Sequence, residues 1–342
     1  MATKVILSGA TGFIAQHVVK ELLDKDYKVV ATVRSSGKGD HLLKLFNSPN
    51  LSYEVVEDVA QAGAFDKVLQ NNQDATIFIH TASPFHFKTD DVAKDLLEPA
   101  VEGTKNALKA IEKYGKNIQK VVITSSYAAI ATAKDSVDPK AVINEKDWNQ
   151  ITREEAIANP FHGYRASKTF AEKAAWDFVK EHESKFILST VNPTFVFGPQ
   201  LFDSEVKENL NTSSEAINVI TKLQPEDAIP SFKGGWVDVR DVAKAHLVAF
   251  ENPKAEHQRL LMNSGKFTEQ SIVDLVREKF PELKNVPIGN PGAGLRAIEE
   301  TLATIDNSKT KEILGFELID FEKSVADSVQ QIIDVRKSKS QL

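Results

Sequence analysis

The sequence predicts an α/β protein built on a doubly wound parallel sheet, with a smaller, mostly C-terminal lobe beside it. Three observations carry this expectation. Short apolar runs alternate with helical periods from residue 4 to about residue 192, the βαβ succession of a parallel sheet covered on both faces. A glycine-rich turn, Ser8-Gly9-Ala10-Thr11-Gly12-Phe13-Ile14-Ala15, directly follows the first of those runs. After Gly198-Pro199 the alternation loosens into helices separated by proline and glycine. A chain of 342 residues is long enough for two units.

The strands are expected at 4–8, 28–33, 52–56, 76–80, 120–124 and 187–192. Each is short, rich in Val and Ile, and bounded by turn residues, which marks burial on both faces. Helices are expected near 12–25, 39–47, 62–71, 90–114, 161–182 and 204–223. Their apolar residues recur every three to four positions, as Ile14, Val18, Val19, Leu22 and Leu23 do. Trp236-Val237-Asp238-Val239 reads as a return to the sheet edge. Asp241 reads as the N-cap of the helix that carries Val242, Ala245, His246, Val248 and Ala249. The sheet domain is therefore expected at 1–194, joined by about 235–263. The lobe takes 195–234 and 264–342.

Ligands of such sheets bind beyond the carboxyl ends of the strands. Gly9 permits a tight turn there, Gly12 lets backbone approach a pyrophosphate, and Ala15 allows close helix–strand packing. Amides and the dipole of the following helix then hold the phosphates. This is a Rossmann-type dinucleotide cradle. At the end of the second strand, where a carboxylate would hold the ribose 2′-hydroxyl of NADH, stand Arg34 and, four residues on, Lys38. A planar guanidinium and an ammonium suit a 2′-phosphate, so NADPH is the expected cofactor. Asp58 is a candidate either for an adenine contact or for capping the next helix. Thr81, Ala82, Ser83 and Pro193 also fall at strand ends and are candidate cofactor contacts.

A third element, Thr124-Ser125-Ser126-Tyr127, closes another apolar run, and Tyr164-Arg165-Ala166-Ser167-Lys168 follows some forty residues later. On a helix, Tyr164 and Lys168 share one face, about 6 Å apart along the axis. The adjacent cation is expected to lower the phenol's pKa, so that Tyr164 can protonate a developing alkoxide. Ser126 can grip the carbonyl oxygen. Phe85, Phe161, Phe195 and Trp236 flank these motifs. They are candidates either for the walls of an apolar substrate pocket or for core packing between lobe and sheet.

Composition removes other classes. A net charge of −6 argues against a nucleic-acid or anionic-membrane partner, and no apolar stretch approaches the ~18 residues of a membrane span. With the first strand expected from residue 4, no signal peptide is expected. Zero cysteines exclude disulfides and thiolate sites and suit a reducing, cytoplasmic setting. The eight histidines lack zinc-site spacing, so no metal is expected.

Taken together, the chain resembles the extended short-chain dehydrogenases/reductases. The likeness rests on Gly9-x-x-Gly12-x-x-Ala15, Thr124-Ser125-Ser126, Tyr164-x-x-x-Lys168, Asn192-Pro193-x-x-x-x-Gly198-Pro199 and Val239-Arg240-Asp241-Val242-Ala243. It continues to Lys311-x-x-Leu314-Gly315-Phe316. Within that family it is most similar to fungal NADPH-dependent reductases of methylglyoxal and 3-methylbutanal, with plant dihydroflavonol reductases more distant. The resemblance implies a catalytic triad of Ser126, Tyr164 and Lys168. It also implies cofactor contacts at Gly9, Ala10, Thr11, Gly12, Phe13, Ile14, Arg34, Lys38, Asp58, Val59, Tyr164, Lys168, Val196 and Ser213. Gly37, Ala131 and Phe161 depart from the relative. Ala131 and Phe161 fall where the substrate is bordered, so the departures bear on the substrate rather than on the chemistry. The implied activity is reduction of aldehydes and ketones, diketones included, to alcohols by a monomer or homodimer. Two other functions share the frame: a sugar-nucleotide epimerase or dehydratase that retains NAD, and an NADP sensor without turnover.

Overall fold

The six expected apolar runs all form parallel strands; five are largely buried, and the sixth, Leu51–Val55, lies at the sheet's edge with Ser52 and Val55 exposed. The computed structural model describes residues 3–83, 89 and 91–340. The first half runs β1 (Lys4–Ser8), α1 (Phe13–Asp24), β2 (Lys28–Val33), α2 (Ser36–Phe46), β3 (Leu51–Val55), α3 (Asp66–Asn71), β4 (Ile77–His80), α4 (Glu98–Tyr114) and β5 (Lys120–Thr124). A π-turn over Ala93–Leu97 leads into α4. There follow α5 (Ala133–Ser136), β6 (Val142–Ile143), α6 (Arg153–Ile157), α7 (Pro160–Glu181), β7 (Ile187–Pro193) and β8 (Phe195–Phe197). The remainder is α8 (Thr212–Ile220), β9 (Lys233–Asp238), α9 (Val239–Glu251), β10 (Arg259–Met262), β11 (Gly265–Thr268), α10 (Glu269–Lys279), α11 (Ala293–Thr301), β12 (Thr304–Ile305), α12 (Ser308–Leu314) and α13 (Phe321–Ser340).

The main sheet has seven strands in the order β3-β2-β1-β4-β5-β7-β10, and every neighbouring pair is parallel. The strand order reverses between β1 and β4, which is where a doubly wound sheet opens a crevice. α1 and α9 pack on one face around Val18, Leu22, Val242 and Ala245. α3, α4 and α7 pack on the other around Phe65, Leu108, Ile111 and Ala175. The α/β class expected from the sequence is the observed one.

Two local expectations are corrected. Segment 236–239 does not return to the main sheet. β9 pairs instead with β8 and β11 in a separate three-stranded sheet, and the main sheet's edge is β10, paired with β7. The cap of α9 is Asp238, whose carboxylate accepts from the Arg240 amide at 2.9 Å. Asp241 lies within the first turn, fully buried, and accepts from the Ile319 amide at 2.7 Å. Burial pushes its pKa up to about 6, against the Ile319 hydrogen bond.

The second sheet and α8, α10 and α13 enclose their own aromatic core, built on Phe197, Phe267, Ile217, Val276 and Val329. Trp236 belongs to it: 2% exposed, stacked on Phe197 with ring centres 6.1 Å apart and edge-on to Phe321 at 5.3 Å. Trp236→Ala is expected to remove about 3–5 kcal/mol of folding free energy, the cost of truncating a buried aromatic. Chemical denaturation checks this, and a loss under about 1 kcal/mol would show that the side chain is not part of that core.

Candidate active site

Gly9 begins the site. It adopts φ +71°, and a Cβ there would come within 2.8 Å of the Ala82 Cα, so only glycine lets β1 and β4 leave the sheet this close together. Ser8 ties the same two exits: its Oγ lies 2.8 Å from His80 Nδ1 and accepts from the Ala82 amide at 3.2 Å. Burial pushes the His80 pKa down to about 4. The cleft so formed is lined by Gly9, Thr11, Gly12, Arg34, Lys38, Val59, Thr81, Ala82 and Ser83, together with Thr32, Val33 and Val56.

Two helix ends face it. Gly12 precedes α1 and Ser35 precedes α2; neither end has a side-chain cap or an acid in its first turn, which leaves amide donors and the positive end of each dipole for an anion. Arg34 and Lys38 flank the start of α2, both exposed, and neither joins an ion pair among the described residues. An anchor that the sequence did not suggest is Asn106 on α4. Its amide donates to the carbonyls of Val59, Ala60 and Gln61 at 3.1, 2.9 and 3.0 Å, which fixes the cleft's outer loop. The donor set fits a dinucleotide carrying an extra phosphate.

The other expected cofactor residues spread more widely. Ala10 is buried, its amide bound to the Thr32 carbonyl at 3.2 Å. Phe13 and Ile14 open α1 and pack on the core. Asp58 is exposed and accepts from the Ala60 amide at 2.9 Å, a local turn contact. Pro193 closes β7, Val196 is buried in β8, and Ser213 sits in the first turn of α8.

The reacting groups lie on the loop after β5, the strand beside β4, and on α7. Asn159 caps α7, accepting from the His162 amide at 2.9 Å, and Pro160 follows in its first turn. A Cβ at Gly163 would run into Val92, so α7 lies tight against the π-turn before α4. This brings Tyr164 against the loop after β5, where the Ser126 hydroxyl hydrogen-bonds the phenol. Ser126 also accepts from the Ala128 amide at 3.1 Å. Lys168 follows one turn later on the same helix.

The electrostatics differ from the expectation. Burial raises the Tyr164 pKa, against smaller lowering effects from the Ser126 hydrogen bond and the Arg165 guanidinium. The cation that lowers it is Arg165, and burial outweighs that effect. The pKa of Lys168 is pushed down to about 8 by burial, opposed by the Glu172 carboxylate. Tyr164 is thus a firmly protonated acid beside an ammonium that titrates just above neutrality.

The candidate substrate residues fall into two neighbouring sets, Phe161 and Ala131 about Arg165, and Phe195 opposite Trp236 across β8 and β9. Phe161 is 51% exposed in the first turn of α7, its ring centre 5.8 Å from the Arg165 guanidinium. Ala131 is buried with Ile130, Ile143, Leu261 and Ala303, and its carbonyl accepts from Arg165. Phe195 packs edge-on to Phe267 at 5.3 Å, and Trp236 lies in the core described above. Phe85 lies outside the described residues.

Comparison with known proteins agrees with this geometry. The crystal structure of Gre2 in complex with NADPH from Candida albicans superposes with a TM-score of 0.96 at 62% identity, covering 97% of this chain and 99% of that one. The structure of the yeast methylglyoxal/isovaleraldehyde reductase Gre2 complexed with NADPH gives 0.95 at 46% identity, over 98% and 99%. By sequence, the NADPH-dependent methylglyoxal reductase GRE2 of Saccharomyces cerevisiae is 47% identical over 336 residues, 96% of this chain and 98% of its own length. A cleft between β1 and β4, a Ser–Tyr pair with a lysine one turn on, and a family model matching residues 5–265 agree, and the chain belongs to the NAD dependent epimerase/dehydratase family.

Proposed function

We propose that the protein reduces small aldehydes and ketones to alcohols with NADPH, the substrates including methylglyoxal, 3-methylbutanal and diketones. The observation that carries this reading is the hydrogen bond between Ser126 and a protonated Tyr164, one helical turn before Lys168, in a chain whose glycine-turn cleft is lined by Arg34 and Lys38. The names of the similar reductases support it. Gly9, Gly12 and the amides of α1 would hold the pyrophosphate, and Arg34, Lys38 and the start of α2 the 2′-phosphate. The cofactor supplies a hydride to the carbonyl carbon when bound.

The remaining steps belong to the chain. The Ser126 hydroxyl donates to the carbonyl oxygen and orients it, and Tyr164 transfers its phenolic proton to that oxygen as negative charge develops there. Lys168 stabilises the resulting phenolate and has donors left for ribose hydroxyls. Two cations where NADH would require a carboxylate count against an epimerase that retains NAD. A protonated acid hydrogen-bonded to Ser126 counts against a sensor without turnover. The reading extends to a cytoplasmic enzyme acting as a monomer or homodimer; among the described residues no helix is long and apolar enough to cross a membrane. Loss of NADPH absorbance on adding methylglyoxal or 3-methylbutanal is the direct test. No loss with any carbonyl in a broad panel would end the reading.

Tyr164→Phe is expected to bind NADPH normally, by fluorescence titration, and to lose at least ~100-fold in kcat, the usual scale for a general acid. Turnover within a few-fold of the parent would remove Tyr164 from the mechanism. Arg34→Ala should weaken NADPH by about one to two decades in KM and leave NADH nearly unchanged, since a charge-assisted contact is worth roughly 1.5–3 kcal/mol. Equal weakening of both cofactors would assign Arg34 a structural role.

The pH profile follows from the two shifts. Tyr164, shifted upward, keeps its proton through the working range. Lys168 is an ammonium below its pKa of about 8 and neutral above it. The value of kcat/KM for NADPH reports the free enzyme, so it should be flat below about pH 8 and fall about tenfold per unit above it. A profile flat to about pH 10 would show that the charge on Lys168 is not needed.

A further inference from the structure

The Glu172 carboxylate has no place in the steps above, yet it is held by more side chains than any other acid among the described residues. It lies on α7 one turn beyond Lys168, fully buried. Its oxygens accept from five side chains. Ser125 donates through Oγ, Thr190 Oγ1 at 3.2 Å, Asn192 Nδ2 at 2.7 Å, Trp176 Nε1 at 3.2 Å and Arg259 Nε at 2.6 Å. Arg259 in turn lies over the Trp148 ring at 3.8 Å and donates to the Glu145 carbonyl at 2.9 Å. Burying a charged pair is costly even when fully bonded, and packed apolar residues at such sites are often at least as stabilising. Stability alone is a weak reason for this cluster.

Its position supplies a better one. The Asn192 amide bridges Glu172 to the Ser126 carbonyl, donating to the latter at 3.2 Å, and Ser125 binds the same carboxylate. The backbone that presents the Ser126 hydroxyl is therefore anchored on Glu172. On the helix, residues four apart share a face, and Glu172 favours the ammonium form of Lys168. Its salt bridge, however, is with Arg259. Five donors hold the carboxylate close enough to act through its field, and the Lys168 donors stay available for other partners.

We propose that Glu172 is a positioning residue of the reductase reaction: its clamped carboxylate keeps Lys168 an ammonium and fixes the Ser125–Ser126 backbone opposite Tyr164. The inference rests on the carbonyl-reductase reading above. Other groups near Lys168 do not substitute for it. His80, at the end of β4, is electrostatically coupled to Lys168, and burial pushes its pKa down to about 4, so it is neutral at working pH. Burial raises the pKa of Tyr127 in the turn after β5, so it is neutral too. Arg165 is directed to the Ala131 carbonyl. Asp95, in the π-turn, accepts from Thr89 at 2.6 Å. The α4 acids Glu98, Glu102 and Glu112 are exposed.

The test is the alkaline limb of kcat/KM for NADPH in two variants that break the same ion pair from opposite sides. Glu172→Gln removes the negative charge and should move the limb about one pH unit down, the usual effect of one nearby charge. Arg259→Met removes the positive charge and leaves Ser125, Thr190, Asn192 and Trp176 on the carboxylate, so the limb should move up. Arg259→Lys should return it towards the parent. Melting curves establish that each variant is folded, and if one is not, the sign of the shift in the other decides the matter. A merely structural ion pair moves the limb the same way in both, or not at all, and that outcome overturns the proposal. Failure of the parent enzyme to reduce any carbonyl would instead overturn the underlying reading.

Discussion

The reversal of strand order between β1 and β4 is the constraint on which the rest depends. Both strands pair in parallel, and their following connections leave towards opposite sides, so a crevice opens where they part. That opening is narrow: a Cβ at Gly9 would meet the Ala82 backbone. The exits are pinned further by Ser8, His80 and Ala82. Once they are fixed, the starts of α1 and α2 necessarily face the cleft, because each helix follows a strand whose carboxyl end borders it. The anion-binding character of the cleft is thus a consequence of topology, and Arg34 and Lys38 add charge to a site whose amides are already aimed.

The reacting groups show how burial and charge are balanced. Surrounding protein raises the Tyr164 pKa and lowers that of Lys168, since both shifts disfavour the charged form. For an acid that must hold its proton until negative charge appears on the substrate, the first shift is an advantage. The second works against the chemistry, because a neutral lysine stabilises no phenolate. The Glu172–Arg259 network stands on the same helix face as that lysine. It opposes desolvation without capturing the ammonium.

The second sheet gives one of the flanking aromatics, Trp236, a place in the core. Phe197, Phe267 and Trp236 fill the space between β8, β9, β11 and α13. Phe161, by contrast, stands exposed at the start of the helix that carries Tyr164.

Local pattern made much of this protein legible. Six of the seven main strands, the glycine turn and the Tyr164–Lys168 spacing could be read from the sequence, because each depends on residues within a turn or strand of one another. The seventh strand, Arg259–Met262, could not: so short a run carries little periodicity, and its strand state comes from pairing with β7. Nor could the capping role of Asp238 over Asp241, which was decided when Ile319 took the latter's carboxylate. Glu172 and Arg259 are 87 positions apart, so no spacing announced their pairing. The direction of the Tyr164 shift was likewise hidden, because the sequence shows the neighbouring cation but not the burial that outweighs it. The sequence by itself determined which chemical groups are present and which local elements carry them. Tertiary structure alone decided which groups are buried, which long-range partners they meet, and therefore which of them hold a proton, since desolvation and long-range pairing exist only in the folded chain.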